Sequence, residues 1–268
     1  AGTDVGRIRT TAQKQGDHYL LNGTKQWITN VGEAEVYTVV ALTDKSKGAR
    51  GASCFIVDKD TPGLTFGKKE NKLGIRASST REVIFAAALV PAENLLGRLG
   101  QGFIVAMKTF DYARPGVAAQ AVGLAQGALD LTLEYTHNRK QFDQSISSFQ
   151  GVQWMLADMA TQIEGARQLV HTAARAIDAN VKNITRMSAM CKLLATDVAM
   201  KVTTDCVQLF GGYGYCKDYP IEKYMRDAKI TQIYEGTNQI QRLVIARSIL
   251  REAASSADAK PKAAAKAE

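Results

Sequence analysis

A chain of 268 residues, 46% hydrophobic and 22% charged, is long enough to bury one large core or two ordinary ones. It contains no run of the roughly 18 or more apolar residues that would make a membrane-spanning helix. The net charge of +8 fits either a lysine-rich surface or an anionic ligand such as a nucleotide. Nucleic acid is disfavoured, because no basic run, zinc-finger spacing or RNA-binding aromatic signature accompanies the charge.

The chain opens on Ala1-Gly2-Thr3-Asp4-Val5-Gly6, a loop-like start that reads as a truncated or processed end. The first ~95 residues read as strands, with 91–102 as a connection. Gly16-Asp17 and Asn22-Gly23 are hairpin-type turn signals bracketing residues 18–21, and 24–29 follows as a second run. Further β-like runs lie at 36–42, 52–57, 64–66 and 82–90, separated by segments such as Asp60-Thr61-Pro62-Gly63. Short, evenly spaced strands without intervening helices predict an antiparallel barrel or sandwich.

From about Gln101 the chain becomes rich in Ala, Leu, Gln and Met, with apolar residues at helical spacing. Phe103, Met107, Phe110 and Arg114 share one face, continued by Val117, Ala121 and Leu124. A second helix is predicted over 149–179 with Trp154, Leu156, Met159 and Ile163 inward, and a third over 184–210, stopped by Gly211-Gly212. A fourth runs over about 237–254. Long helices with short connections predict a four-helix bundle. The fold class is therefore α+β, with a β domain over 1–98, a helical domain over 99–254 and an Ala/Lys-rich frayed or disordered tail over 255–268.

Cys54, Cys191, Cys206 and Cys216 show neither Cys-x-x-Cys nor metal-site spacing, and His18, His137 and His171 lie far apart, so no metal is expected. There is no P-loop and no Gly-x-Gly-x-x-Gly after a strand, so a dinucleotide bound here would not sit on a Rossmann fold. Glu235 precedes Gly236 and a helix start at Thr237 or Asn238. Glycine allows close backbone approach to a ligand, and a helix N-terminus offers unpaired N–H groups. A carboxylate there is either a base whose pKa desolvation raises or a surface residue beside a helix cap. Trp27-Ile28-Thr29 reads either as an ordinary strand end or as a ring and a hydroxyl set against a flat heterocycle. Arg139 is either a phosphate fork or a solvated helix-end cation, and Gly211-Gly212 is most simply a helix stop.

Taken together and in order, Lys25-Gln26-Trp27-Ile28-Thr29-Asn30, Asn138-Arg139-Lys140-Gln141-Phe142, Gln208-Leu209-Phe210-Gly211-Gly212-Tyr213-Gly214 and Ile233-Tyr234-Glu235-Gly236-Thr237-Asn238-Gln239-Ile240 resemble the acyl-CoA dehydrogenase family. Linking stretches add to the likeness: Phe110-Asp111-Tyr112-Ala113-Arg114-Pro115, Leu156-Ala157-Asp158-Met159-Ala160, Met225-Arg226-Asp227-Ala228-Lys229-Ile230 and Ile240-Gln241-Arg242. The resemblance covers nearly all of residues 1–254 and is closest to short- and medium-chain members. It implies a chain lacking the family's N-terminal helical domain, so that one wall of the acyl pocket would come from elsewhere.

The same resemblance implies FAD as cofactor, an acyl-CoA substrate, an electron-transferring flavoprotein as partner and a homo-oligomer, a dimer of dimers, with no stable membrane insertion. It places the protein in bacterial cytoplasm or, in a eukaryote, the mitochondrial matrix. By position, Thr3, Trp27, Ile28, Thr29, Arg139, Phe142, Gln208, Leu209, Phe210, Gly211, Gly212, Thr237, Asn238 and Gln239 match cofactor contacts. Asp111, Arg114 and Gly236 match the substrate side, with Tyr112, Ala113 and Val117 near the acyl chain.

Glu235 matches the base that takes the α-proton while flavin N5 receives the β-hydride, giving a trans-2-enoyl-CoA. Its backbone N–H and a ribityl hydroxyl would polarise the thioester carbonyl. Relatives that carry the base on the first long helix do so at the position of Ala113, which cannot serve. An acyl-CoA oxidase and an inactive flavin- or acyl-CoA-binding homologue are the alternatives.

Overall fold

The computed structural model describes residues 2–258. The chain divides into two compact units, Ala1–Phe110 and Asp111–Glu268, the division falling within the first long helix.

The first unit carries β1 (Thr11–Gln15), β2 (His18–Thr29), β3 (Val36–Leu42), β4 (Ala52–Asp58), β5 (Leu64–Phe66), β6 (Thr80–Pro91) and β7 (Leu95–Leu96). They form one seven-stranded sheet in the order β5-β6-β2-β1-β3-β4-β7. This corrects the antiparallel barrel or sandwich read from the sequence. The sheet is mixed, because β1 meets β3 in parallel at Thr11↔Leu42, and it is open, ending on the short strands β5 and β7. Alternating burial predicts which face of a strand is covered; it does not specify the neighbour to which the edge bonds.

Gly16-Asp17 is a two-residue hairpin turn, closed by the Gln15↔His18 pair, with Gly16 at φ 59°. Asn22-Gly23 is not a turn. It lies inside the continuous β2, where the register to β6 shifts between Leu21 and Gly23. The Asn22 side chain there accepts a hydrogen bond from the Ala87 N–H at 2.9 Å, and Gly23 sits at φ 137° with Thr10 where a Cβ would be. An Asn-Gly pair serves a bulge as readily as a turn, since both need a residue outside ordinary β geometry. The core of this unit gathers Leu21, Val39, Phe55, Val57, Phe85 and Val90. Full burial of a side chain such as Phe55 stabilises by about 1.5–3 kcal/mol.

The second unit is helical. It contains the body of α1 (Gly102–Asn138), then α2 (Gln150–Asp178), α3 (Thr185–Phe210), α4 (Ile221–Thr231) and α5 (Asn238–Asp258). A small hairpin of β8 (Lys140–Gln141) and β9 (Gln144–Ser145) follows α1. Its turn residues Phe142 and Asp143 both have positive φ, 53° and 63°, as a tight two-residue hairpin turn requires. Four long helices thus match the reading, and the short α4 is additional. Its sequence carries a helix signal that was passed over as linking chain: Pro220 before the first turn, Glu222 early, Lys229 late, and i,i+4 pairs Glu222–Arg226 and Lys223–Asp227.

The shared core of this unit is alanine-rich, including Ala121, Ala125, Ala195 and Ala199 with Met159, Ile163, Val202 and Phe210. Trp154 was expected inward and is 62% exposed. At 100° per residue it lies about 180° around α2 from Ile163, whereas Leu156 and Met159 fall closer to the buried stripe. The α5 helix runs past 254 to Asp258, and the remainder of the tail assigned to 255–268 lies outside the described residues. No helix among the described residues is long and apolar enough to cross a membrane.

The two glycines of the β1–β2 region make opposite demands. Gly23→Ala combines positive φ with a Cβ placed 2.8 Å from the Thr10 Cα, whereas Gly16→Ala meets nothing within 4 Å. Urea unfolding should give a loss of about 1–2 kcal/mol for Gly16→Ala, from left-handed strain alone, and a larger loss for Gly23→Ala. Equal losses would refute the packing account of Gly23.

Candidate active site

The segment between α4 and α5 is a tight reversal. After Thr231 the chain closes with Ile233 and Tyr234 N–H groups donating to the Ile230 carbonyl. Glu235 and Gly236 then both take positive φ, 51° and 92°. The next residue, Thr237, caps α5, its Oγ1 accepting from the Ile240 N–H at 3.3 Å. Gly236 sits at φ 92°, which L side chains rarely adopt, and a Cβ there would lie 2.6 Å from Gln241 Nε2 and displace that amide. Glutamate at 235 is not a residue that favours the left-handed region, so the turn stores about 1–2 kcal/mol of strain that its surroundings must hold.

Three helices hold it. From α1, Arg114 makes a long contact of 3.5 Å from Nε to the Glu235 carbonyl. From α5, Gln241 Nε2 donates to the Glu235 carbonyl at 3.3 Å and the Gly236 carbonyl at 3.0 Å. From α3, Lys192 Nζ donates to the Gly236 carbonyl at 2.9 Å and to Asn238 Oδ1 at 2.8 Å. Behind these lies a second layer. Arg114 pairs with Asp111 at 3.0 Å, and Asp111 accepts from Thr185 Oγ1 at 2.5 Å. Asn238 Nδ2 reaches Asp197 at 2.7 Å, and Asp197 also accepts from Gln232 and Arg242.

The Glu235 side chain is half-buried, and its Oε2 is buried with no hydrogen-bond partner. Burial raises its pKa, opposed by the positive charges of Arg114 and Lys192. Burial lowers the pKa of Arg114 against the pull of Asp111 and Glu235, and brings Lys192 down to about 8. The Tyr234 hydroxyl, bonded to Gln120, is also pushed up by burial. A desolvated carboxyl group with one oxygen unengaged, beside two cations, can exchange a proton with a bound molecule.

A second cluster lies at the far end of α3. A cavity of about 540 Å³ is lined by Arg139, Leu209, Phe210, Gly211 and Gly212, all singled out from the sequence, with Tyr135 and Tyr213. Tyr135 stacks on Phe210 with ring centroids 4.0 Å apart, and Arg139 lies over the Tyr213 ring at 5.6 Å. Gly211, at φ 62°, caps α3. Gln208 sits on the last turn of α3, and Phe142 is 87% exposed at its hairpin tip.

Trp27, Ile28, Thr29 and Thr3 belong to the first unit, and Gln239 and Asn238 to α5. Trp27 is 67% exposed in the first unit, at φ 62°, where the β2–β6 register slips between Lys25 and Ile28. The irregularity re-aims the indole away from the regular alternation. Ile28 and Thr29 resume pairing with Arg81 and Thr80, and Thr3 is exposed in the opening turn. Gln239 is exposed on the first turn of α5. Asn238, assigned to the cofactor from sequence, is instead buried, with its amide engaged by Lys192, Thr196 and Asp197. Of the substrate-side residues, Asp111 and Arg114 are buried or half-buried while Tyr112 is 55% exposed; Ala113 is half-buried and Val117 buried.

Lys192 escaped the sequence reading, and Gln241 entered it only within the stretch Ile240-Gln241-Arg242, without a site role. A signal existed: Ser188, Lys192 and Thr196 recur at four-residue spacing on the buried stripe of α3, an unusual place for a lysine.

Comparison with known proteins agrees in both halves. A family model for the acyl-CoA dehydrogenase middle domain matches residues 1–88, and one for the acyl-CoA dehydrogenase C-terminal domain matches 100–250. A protein named a probable acyl-CoA dehydrogenase in Mycobacterium tuberculosis is 54% identical over 251 residues, covering 94% of this chain and 64% of its own length. The short-chain specific acyl-CoA dehydrogenase of Clostridium acetobutylicum is 53% identical over 251 residues, covering 94% of this chain and 66% of its own. The structure of butyryl-CoA dehydrogenase from Megasphaera elsdenii superposes with a TM-score of 0.92 at 52% identity, over 94% of this chain and 66% of that one. The chain thus spans just under two thirds of the length of these relatives.

Removing Asp111 leaves the Arg114 guanidinium buried without its carboxylate. Asp111→Ala should lower stability by about 3–5 kcal/mol, measured by chemical denaturation, while Asp111→Asn loses less because an amide oxygen still accepts from Arg114.

Proposed function

This chain belongs to the acyl-CoA dehydrogenase family, and we propose that it carries out the FAD-dependent α,β-dehydrogenation of an acyl-CoA thioester to a trans-2-enoyl-CoA, with Glu235 taking the α-proton. The observation that carries this reading is the Glu235 carboxyl group, with one oxygen buried and unpartnered on a turn held in the left-handed region.

An α C–H beside a thioester is a weak acid, so the base must be both ionised and poorly solvated. Burial makes the Glu235 carboxylate a stronger base than in water, and Arg114 and Lys192 keep it from being neutralised prematurely. Its backbone N–H donates to the thioester carbonyl, lowering the cost of the negative charge that develops as the proton leaves. Asp111 orients Arg114, and the glycine at 236 leaves room for the Gln241 amide against the turn.

The remaining residues fit FAD. The exposed Trp27 ring and Thr29 hydroxyl offer a flat face and a hydrogen-bond donor for the isoalloxazine. Arg139, Tyr213 and the side-chain-free Gly211-Gly212 offer a cation, an aromatic face and close backbone approach for the adenosine and pyrophosphate end. FAD when bound supplies the acceptor for the β-hydride. In this reading residues 1–98 act as the middle β domain and 99–254 as the helical domain. An electron-transferring flavoprotein takes the electrons, and a homo-oligomer completes the sites.

Glu235→Gln should lower turnover of acyl-CoA at least about 10²-fold while leaving flavin content unchanged. Its effect on stability has a definite sign. The folded-state pKa of Glu235 is raised, so ionising it costs stability as pH rises from the ordinary carboxylate range through the raised pKa. The stability of Glu235→Gln relative to the parent should therefore increase over that window and then level off. A variant that consumes acyl-CoA at the parental rate would overturn the assignment of the base.

A further inference from the structure

Lys192 is fully buried in the middle of α3, and among the described residues no carboxylate lies within ion-pair distance of it. A buried cation without a paired anion costs several kcal/mol, and an apolar residue would serve packing better at that site. What its ammonium engages instead is the Gly236 carbonyl and the Asn238 side chain, one and three residues after Glu235 in the chain. Gln241, also fully buried, engages the carbonyls of Glu235 and Gly236, while its own Oε1 has no partner. Both carbonyls of the strained turn are thus gripped by side chains from two different helices.

We propose that Lys192 and Gln241 are positioning residues that lock the Glu235–Gly236 turn through its carbonyl oxygens, Lys192 also adding to the positive field of Arg114 at the Glu235 carboxylate. The inference rests on the reading of Glu235 as the proton acceptor. The two arms differ in kind. Gln241 is neutral and acts by geometry alone. Lys192 acts by geometry and by charge, and its ammonium, with a pKa near 8, is still protonated at neutral pH. Among the described residues, the other charged or titratable groups that act on Glu235 are Arg114 from α1 and Tyr234 from its own segment, with Asp111 facing Arg114 from α1, Asp197 facing Lys192 from α3 and Arg242 paired to Asp197 from α5. Arg114 is bound by Asp111 and Arg242 by Asp197, which leaves Lys192 as the cation of the group without an ion-pair partner.

Three variants of the holoenzyme separate the contributions: Lys192→Gln retains a donor and loses the charge, Lys192→Met loses both, and Gln241→Leu loses only the neutral grip. Two readouts do not depend on turnover: the titration of the Glu235 carboxyl carbon by ¹³C NMR, and amide hydrogen exchange over residues 233–238. Loss of a nearby cation destabilises the carboxylate, so both Lys192 variants should move the Glu235 midpoint upward, by about half a pH unit or more. The acid limb of kcat/KM should follow it. Gln241→Leu should leave that midpoint in place, and both it and Lys192→Met should speed exchange about tenfold and lower kcat more than they raise KM. Lys192→Gln carries the test of the charge even where the methionine variant fails to accumulate. An unchanged midpoint in Lys192→Gln, or unchanged exchange in Gln241→Leu, would overturn the proposal. Glu235→Gln, run alongside, reports separately on the base: parental turnover there sinks the proposed function, whereas the titration and exchange results bear on the clamp alone.

Discussion

Holding a carboxylate out of water, in a backbone conformation that glutamate does not favour, is the constraint on which the helical unit depends. Left alone, the Glu235–Gly236 turn would relax and its side chain would seek solvent. It persists because its carbonyls and its flanking residues are bonded from α1, α3 and α5 together. Strain of this kind survives only where the surroundings over-determine it, and such places concentrate at reactive sites.

The requirement explains features that packing alone does not. A helix core built on alanine brings the axes close enough for short reaches across the seams, so that Asp111, Ser188 and Thr185 tie α1 to the start of α3. The polar stripe Ser188–Lys192–Thr196 breaks the apolar face of α3 where α5 begins, and Asn238 and Gln241 answer it from α5. A charged group at such a seam lowers the stability the same volume of hydrocarbon would supply, and gives in exchange one defined arrangement of the turn. Thr237 contributes at the same point, since capping α5 sets where the chain leaves the reversal.

The β unit uses a different device to the same end. A regular strand would alternate its side chains between the two faces, fixing Trp27 by parity. The slip between Lys25 and Ile28 removes that constraint and leaves a large aromatic ring 67% exposed at positive φ. Bulged strand ends of this sort are where sheets present side chains to ligands.

Much of this was legible from residue order. Helical periodicity located α1, α2, α3 and α5 within a few residues, and Gly211 marked the end of α3, because these signals are local: a 3.6-residue period and a glycine that accepts positive φ. Glu235 stood out beside Gly236 and a helix start for the same reason. The mixed, open sheet did not, since pairing joins residues distant in sequence and alternation leaves the partner unspecified. Neither did Asn22-Gly23 as a bulge, nor Trp154 as a surface residue, where a short motif or an approximate phase admitted two outcomes.

The sequence by itself determined the α+β order and the family, and it singled out Glu235, because these signals reside in neighbouring residues. Only the tertiary structure decided the surroundings of that glutamate. Its desolvation, its unpartnered oxygen and the grip of Lys192 and Gln241 arise from groups 43 and 6 positions away in the numbering of the chain, brought to one turn by helix packing. A pKa is a property of surroundings, and surroundings exist only after folding.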